Sequence, residues 1–157
     1  MFNLAMIPLS IPDRIETERL LLQRLRYEDA EEIFYAYASK PEVTTYLSWV
    51  THQSVDDTRT FLKYAVESWN FGMDYSFSIR LKTGMLIGSI GVINDNGKLQ
   101  LGYVLSPGHW RQGFMTEACL RLLSVLVHLK GAYRIGTFVD ADNIASMRVL
   151  TKCGMVE

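Results

Sequence analysis

Three short runs between residues 75 and 105 constrain the fold more than anything else in the chain. Tyr75–Leu81 (YSFSIRL) alternates apolar and polar residues. Lys82-Thr83-Gly84 follows, then Met85–Ile93 (MLIGSIGVI), then Asn94-Asp95-Asn96-Gly97, then Leu99–Leu105 (LQLGYVL). Period-two runs read as strands, and tight Gly-bearing turns join strands only when they are antiparallel. Asn-Gly is a strong short hairpin signal. The runs therefore predict a three-stranded meander. After Ser106-Pro107-Gly108 the chain passes through HWRQGFMTEA (109–118) into an apolar run. That run predicts a helix from about Gly113 to Lys130, with Gly131 as its C-terminal stop. A strand over Tyr133–Val139 then returns after a helical crossover, as parallel pairing requires.

The flanks supply the other elements. RLLLQRLR (19–26) reads as a strand, with 1–18 as an irregular lead-in. Glu28–Ala38 reads as a helix whose acidic first turn suits the helix dipole, ended by Pro41. A second helix starts at Ser54, with Ser54 and Asp57 spaced as a capping-box variant. Its apolar face is Thr58, Phe61, Leu62, Ala65, Val66 and Trp69 at 3, 4 spacing. A last helix covers Asn143–Cys153. The sum is an α/β (α+β) domain over 1–157: a mixed sheet with helices on both faces.

Composition excludes several function classes. A net charge of −1 gives no pull toward nucleic acid or an anionic membrane, and no basic stripe is present. The N-terminus lacks a basic region, and Pro8 and Pro12 break its apolar run, so neither a signal peptide nor a membrane span is expected. Cys119 and Cys153 fall in helical apolar patterns and read as reduced thiols of a cytoplasmic protein, with no metal site.

Two segments carry chemistry. A helix start leaves four backbone N–H groups without intrahelical partners, and the dipole makes that end attractive to anions. In the loop before the long helix, Gly113 allows close approach, Arg111 adds a cation and Thr116 a hydroxyl. A phosphate fits, and so does a plain turn; the loop is neither GxGxxG nor GxxxxGK[ST]. In DADNIASMRVLTKCGM (140–155), Asn143, Ser146, Val149, Leu150 and Cys153 share a face, with Ser146 the polar residue in an apolar stripe. Its hydroxyl is either bonded to its own helix or held for a ligand.

Together these segments resemble the GNAT superfamily of acetyl-CoA-dependent N-acetyltransferases, and in particular its ribosomal-protein (RimJ/RimL-like) branch. The likeness rests on WRQGFMTEA (110–118), on the pattern Asn143, Ser146, Arg148, Val149, Leu150, Lys152, Gly154, Met155, on ETERLLLQRLRYEDAEEIF, on YLSWVTHQSVDDTRTFL and on LQLGYVLSP, in family order. The resemblance implies that acetyl-CoA is the co-substrate. Its pyrophosphate would sit on Arg111, Gln112, Gly113, Phe114, Met115 and Thr116, and its pantetheine arm against backbone near Val104 and Leu105. Asn143 would bond the pantetheine and Ser146 would stand near the sulfur.

The implied reaction is direct attack of a primary amine on the thioester. Leu105 N–H is the candidate oxyanion donor. Relatives that use a tyrosine for the leaving thiolate carry it where this chain has Leu150, so Ser146 is the expected substitute. Relatives with a glutamate in the preceding strand have it where this chain has Gln100, which leaves the base open; His109 and Glu117 are expected to be solvent-facing or capping residues. Trp49, Trp69, Phe71 and Tyr75 are either the acceptor wall or core. The family's sheet continues past the Met155 segment, so an exposed last strand, and with it a homodimer or exchanged strand, is expected. The competing reading is a CoA-binding protein without turnover.

Overall fold

The computed structural model describes residues 8–157; the first part of the expected lead-in, residues 1–7, lies outside them. One six-stranded sheet organises the chain, in the order β1 (Arg14–Glu16), β2 (Leu20–Arg24), β3 (Asp74–Leu81), β4 (Leu86–Asp95), β5 (Lys98–Leu105), β6 (Arg134–Gly136). Neighbours are antiparallel up to β5, and β5–β6 is parallel. The expected meander is present within one or two residues at each end. Gly97 makes its second turn possible: φ is +93°, and an added Cβ would overlap the Gly131 carbonyl.

Helices cover both faces. α1 (Ala30–Ile33) follows a 3-10 turn and continues as a π-helical turn over Phe34–Ala38, closed by Ser39 N–H on Phe34 O at 3.1 Å. α2 is Pro41–Thr44 and α3 is Val55–Asn70. Asp57 Oδ2 accepts from the N–H groups of Gln53 (2.8 Å) and Ser54 (3.3 Å), so the expected cap holds the start of α3. α4 (Phe114–Leu126) and α5 (Ile144–Lys152) lie on the opposite face. The two faces carry separate cores: Phe77, Ile79, Leu99, Leu101 and Leu122 in one, Ile33, Tyr37, Leu62 and Val104 in the other.

Four expectations are corrected. Arg14–Glu16 is a strand rather than lead-in, because it pairs with β2. Pro41 opens a helix instead of only ending one; at the first helical position its missing N–H costs nothing. α4 stops at Leu126, four residues short of Lys130. β6 is three residues long, not seven, because the chain leaves β5 after Gly136. Among the described residues no helix is long and apolar enough to cross a membrane.

Candidate active site

β5 and β6 part company. Their pairing ends at Gln100–Gly136, and only Thr137 Oγ1 reaches further, donating to Leu101 O at 2.7 Å. β5 runs on to Leu105. Ser106 N–H donates to Ile87 O at 2.7 Å, and facing pairs alternate along an antiparallel ladder. Val104 thus spends its backbone groups on β4, while Tyr103 and Leu105 turn theirs toward the gap. Trp110 Nε1 donates to Leu105 O at 2.9 Å, which leaves the Leu105 N–H facing the gap.

A cleft of ≈ 770 Å³ opens there. Tyr103, Val104 and Leu105 form its floor. Arg111, Gly113, Phe114, Met115 and Thr116 close one end, and Asn143 and Ser146 line a side. Gln112 is outside the lining; its side chain donates to Gly108 O at 3.0 Å and its carbonyl accepts from Arg19 Nη1 at 3.1 Å. The remaining wall is α2 and the turn after it: Glu42, Val43, Tyr46 and Leu47. Short and polar at its start, that segment gave no periodic signal. Trp49, Trp69, Phe71 and Tyr75, read as either acceptor wall or core, are outside this lining, and Tyr75 is in the core. Trp69 packs on Tyr75 and Phe77, Trp49 lies beside His52, and Phe71 is exposed.

The end wall has the chemistry to take an anion. The first intrahelical bond of α4 is Glu117 N–H to Gly113 O at 3.0 Å, so the N–H groups of residues 113–116 have no helical acceptor. Arg111 (φ +63°) and Gly113 (φ +79°) both take left-handed conformations, which turn successive N–H groups toward one side. Arg111, Arg148 and Lys152 add three cations to the lining, against one carboxylate, Glu42, on the α2 wall.

Glu117 anchors this wall; it is neither a cap nor a free surface group. Its carboxylate accepts from Thr17 Oγ1 (2.5 Å), Arg19 N–H (2.9 Å) and Arg19 Nε (2.7 Å), and the Arg19 guanidinium covers Phe114 at 4.2 Å. Burial works to raise the Glu117 pKa, but the bonds from Thr17 and Arg19 outweigh it and hold the carboxyl below 4.5. A depressed carboxylate stabilises the fold above its unfolded value and loses that contribution as pH falls through the folded value. Glu117→Gln is therefore expected to lower stability by about 1 kcal/mol at neutral pH and to flatten the acid limb of urea midpoints as pH falls below the ordinary carboxylate range.

The two positions where relatives carry a tyrosine and a glutamate both lie outside the cleft lining. Leu150 is buried in the core under the sheet, and Gln100 is exposed on β5 away from the cleft. His109 lines the cleft with Nδ1 bonded to Ser106 Oγ at 2.7 Å. Ser146 does not bond back to its own helix: its Oγ lies 2.6 Å from the Tyr103 phenol oxygen. Tyr103 carried no signal of its own in the sequence beyond its place in the Leu99–Leu105 run. Among the described residues no cluster of His, Cys, Asp or Glu is arranged to hold a metal.

Residues 19–156 match the acetyltransferase (GNAT) domain family. The chain belongs to the GNAT acetyltransferases. Its relatives include the "Uncharacterized N-acetyltransferase YoaA" of Bacillus subtilis (strain 168), 33% identical over 144 residues, which cover 89% of this chain and 81% of that one. Among solved structures, a GNAT-family acetyltransferase from Bacillus anthracis superposes with a TM-score of 0.76 at 25% identity, covering 91% of this chain and 83% of its own. RimL, the ribosomal L7/L12 α-N-protein acetyltransferase, solved with coenzyme A, shares the fold at a TM-score of 0.81 and 18% identity, over 89% and 82% of the two chains. This GNAT chain is an acyltransferase of the class that takes acetyl-CoA as co-substrate.

Proposed function

We propose that the chain moves the acetyl group of acetyl-CoA to a primary amine, either a protein N-terminal α-amine or a small-molecule amine, by direct attack in a ternary complex. The observation that carries this reading is the meeting, in one cleft, of four helix-start N–H groups and the open edge of β5. The free N–H groups of 113–116 and Arg111 suit a pyrophosphate. The outward backbone of Tyr103 and Leu105 suits an amide-bearing arm laid down as an added strand. Leu105 N–H is the oxyanion donor in this reading, Asn143 bonds the arm, and Ser146 faces the sulfur. Branch membership with RimL-like N-terminal acetyltransferases is part of the proposal, supported by the ordered motifs and the shared fold. Two unpaired thiols fit the reducing cytoplasm. Pairing of two copies along the outer edge of β6, which no other strand covers among the described residues, also belongs to it; a monomeric mass by light scattering at micromolar concentration would exclude that part.

The test is release of free thiol from acetyl-CoA across a panel of amines. A peptide α-amine, with a pKa of about 8, should give a rate that rises with pH and levels near that value, while lysine-like amines near 10 lag. Acetyl-CoA binding without thiol release for any amine would favour the CoA-binding reading instead.

A further inference from the structure

Tyr103 and Ser146 come from different elements, β5 and the first turn of α5, and both line the cleft. Their hydroxyl oxygens are 2.6 Å apart, and the phenol oxygen is also 3.2 Å from the Ser146 carbonyl. Two proton arrangements satisfy this geometry. In one, Tyr103 donates to the Ser146 carbonyl and accepts from Ser146 Oγ–H. In the other, Tyr103 donates to Ser146 Oγ, and the serine proton is free to point into the cleft.

We infer that Tyr103 is a positioning residue for thiolate departure, holding the Ser146 hydroxyl as a donor to the leaving sulfur. This rests on the acetyltransferase reading above. When the C–N bond forms and the C–S bond breaks, the electron pair goes to sulfur. The ammonium proton passes to solvent, and the thiolate later takes a proton from solvent. In the interval negative charge sits on sulfur. That charge favours the second arrangement, because both O–H dipoles then point along one line toward it, each strengthening the other. Burial pushes the Tyr103 phenol up to about 12, so it stays a donor throughout the working range. A thiolate whose conjugate thiol titrates at about 8.5 is too weak a base to take the proton from such a phenol, so the pair bonds the sulfur without giving up a proton. Leu105 and Val149 line the cleft with the pair and make its surroundings less polar, which raises the worth of each bond.

The experiment is steady-state thiol release by the wild type, Tyr103→Phe, Ser146→Ala and the double variant, with melting temperature and acetyl-CoA affinity measured on each. Tyr103→Phe keeps the ring and its packing. It is expected to lower kcat roughly tenfold with the acetyl-CoA KM unchanged. Ser146→Ala is expected to lower kcat about 30-fold, and the double variant no further than Ser146→Ala alone. If Tyr103→Phe melts early, a tyrosine fluorinated on the ring at 103 replaces it: its more acidic phenol changes the bond it gives the Ser146 hydroxyl, so kcat should shift with the acetyl-CoA KM unchanged, and an unmoved kcat would overturn the positioning role. Additive losses, a raised KM with kcat intact, or an unchanged rate in Tyr103→Phe would each overturn the positioning role while leaving the acetyltransferase reading in place. A wild type that binds acetyl-CoA and turns over no amine would overturn both.

Discussion

Gly113→Val is expected to lower acetyl-CoA affinity by more than about 100-fold, measured by calorimetry, while the protein stays folded. The residue sits at φ +79° at the cap of α4. A branched side chain in that region costs roughly 1–2 kcal/mol, a fraction of ordinary domain stability. Nor does the side chain collide with the fold: the nearest atom to an added Cβ is Arg19 Nη2 at 3.5 Å, an ordinary contact. The damage falls on the ligand side. An anion held by the N–H groups of residues 113–116 must lie against the backbone, and the valine branches stand between them. Gly108→Ala is the matched control. It lies in the same loop, has open space around its Cα and needs no positive φ, so its affinity should stay within about twofold. Wild-type affinity in Gly113→Val would mean that the pyrophosphate does not sit on this loop.

That loop was legible in the sequence because one helix start with one glycine has few geometries. The meander was legible for a similar reason: period-two runs separated by Asn-Gly and Thr-Gly turns leave little freedom in register. What escaped was set by tertiary contact. β1 has three residues and no periodicity of its own; it exists because Arg14, Ile15 and Glu16 pair with Gln23, Leu22 and Leu21. The end of β6 depends on where the sheet opens, a property of two distant segments at once. Tyr103 was hidden because alternation reports which face a side chain takes and not which atom its hydroxyl meets across 43 residues of chain. The Glu117 anchor was hidden in the same way, by partners 98 and 100 positions away.

The largest stability effect is expected at Arg80, far from the cleft. Its guanidinium, 9% exposed, bonds Asp29 Oδ1 at 3.0 Å, Glu32 at 2.9 and 3.0 Å, and Gly84 O at 2.8 Å. Asp29 is 1% exposed and is shared with Arg26. The cluster ties the start of α1 to β3 and to the first hairpin turn, and α1 leads through the π turn into α2, the far wall of the cleft. Arg80→Met leaves the buried Asp29 carboxylate with Arg26 as its one cationic partner among the described residues and strips Glu32 of both its bonds, and should destabilise by up to about 3–5 kcal/mol in urea titration. The second variant separates two explanations. If the loss comes from the under-compensated Asp29 charge, adding Asp29→Leu should recover part of it, because an apolar replacement of both ions removes the desolvation cost. If the guanidinium stem and the Gly84 bond matter more, the double variant will be worse than Arg80→Met. The pH dependence has a fixed sign. Bonding by Arg80 holds the Glu32 carboxyl below 4.5, so its share of stability is present above that value and fades as pH falls through the lower folded value. In Arg80→Met that part of the acid sensitivity should disappear.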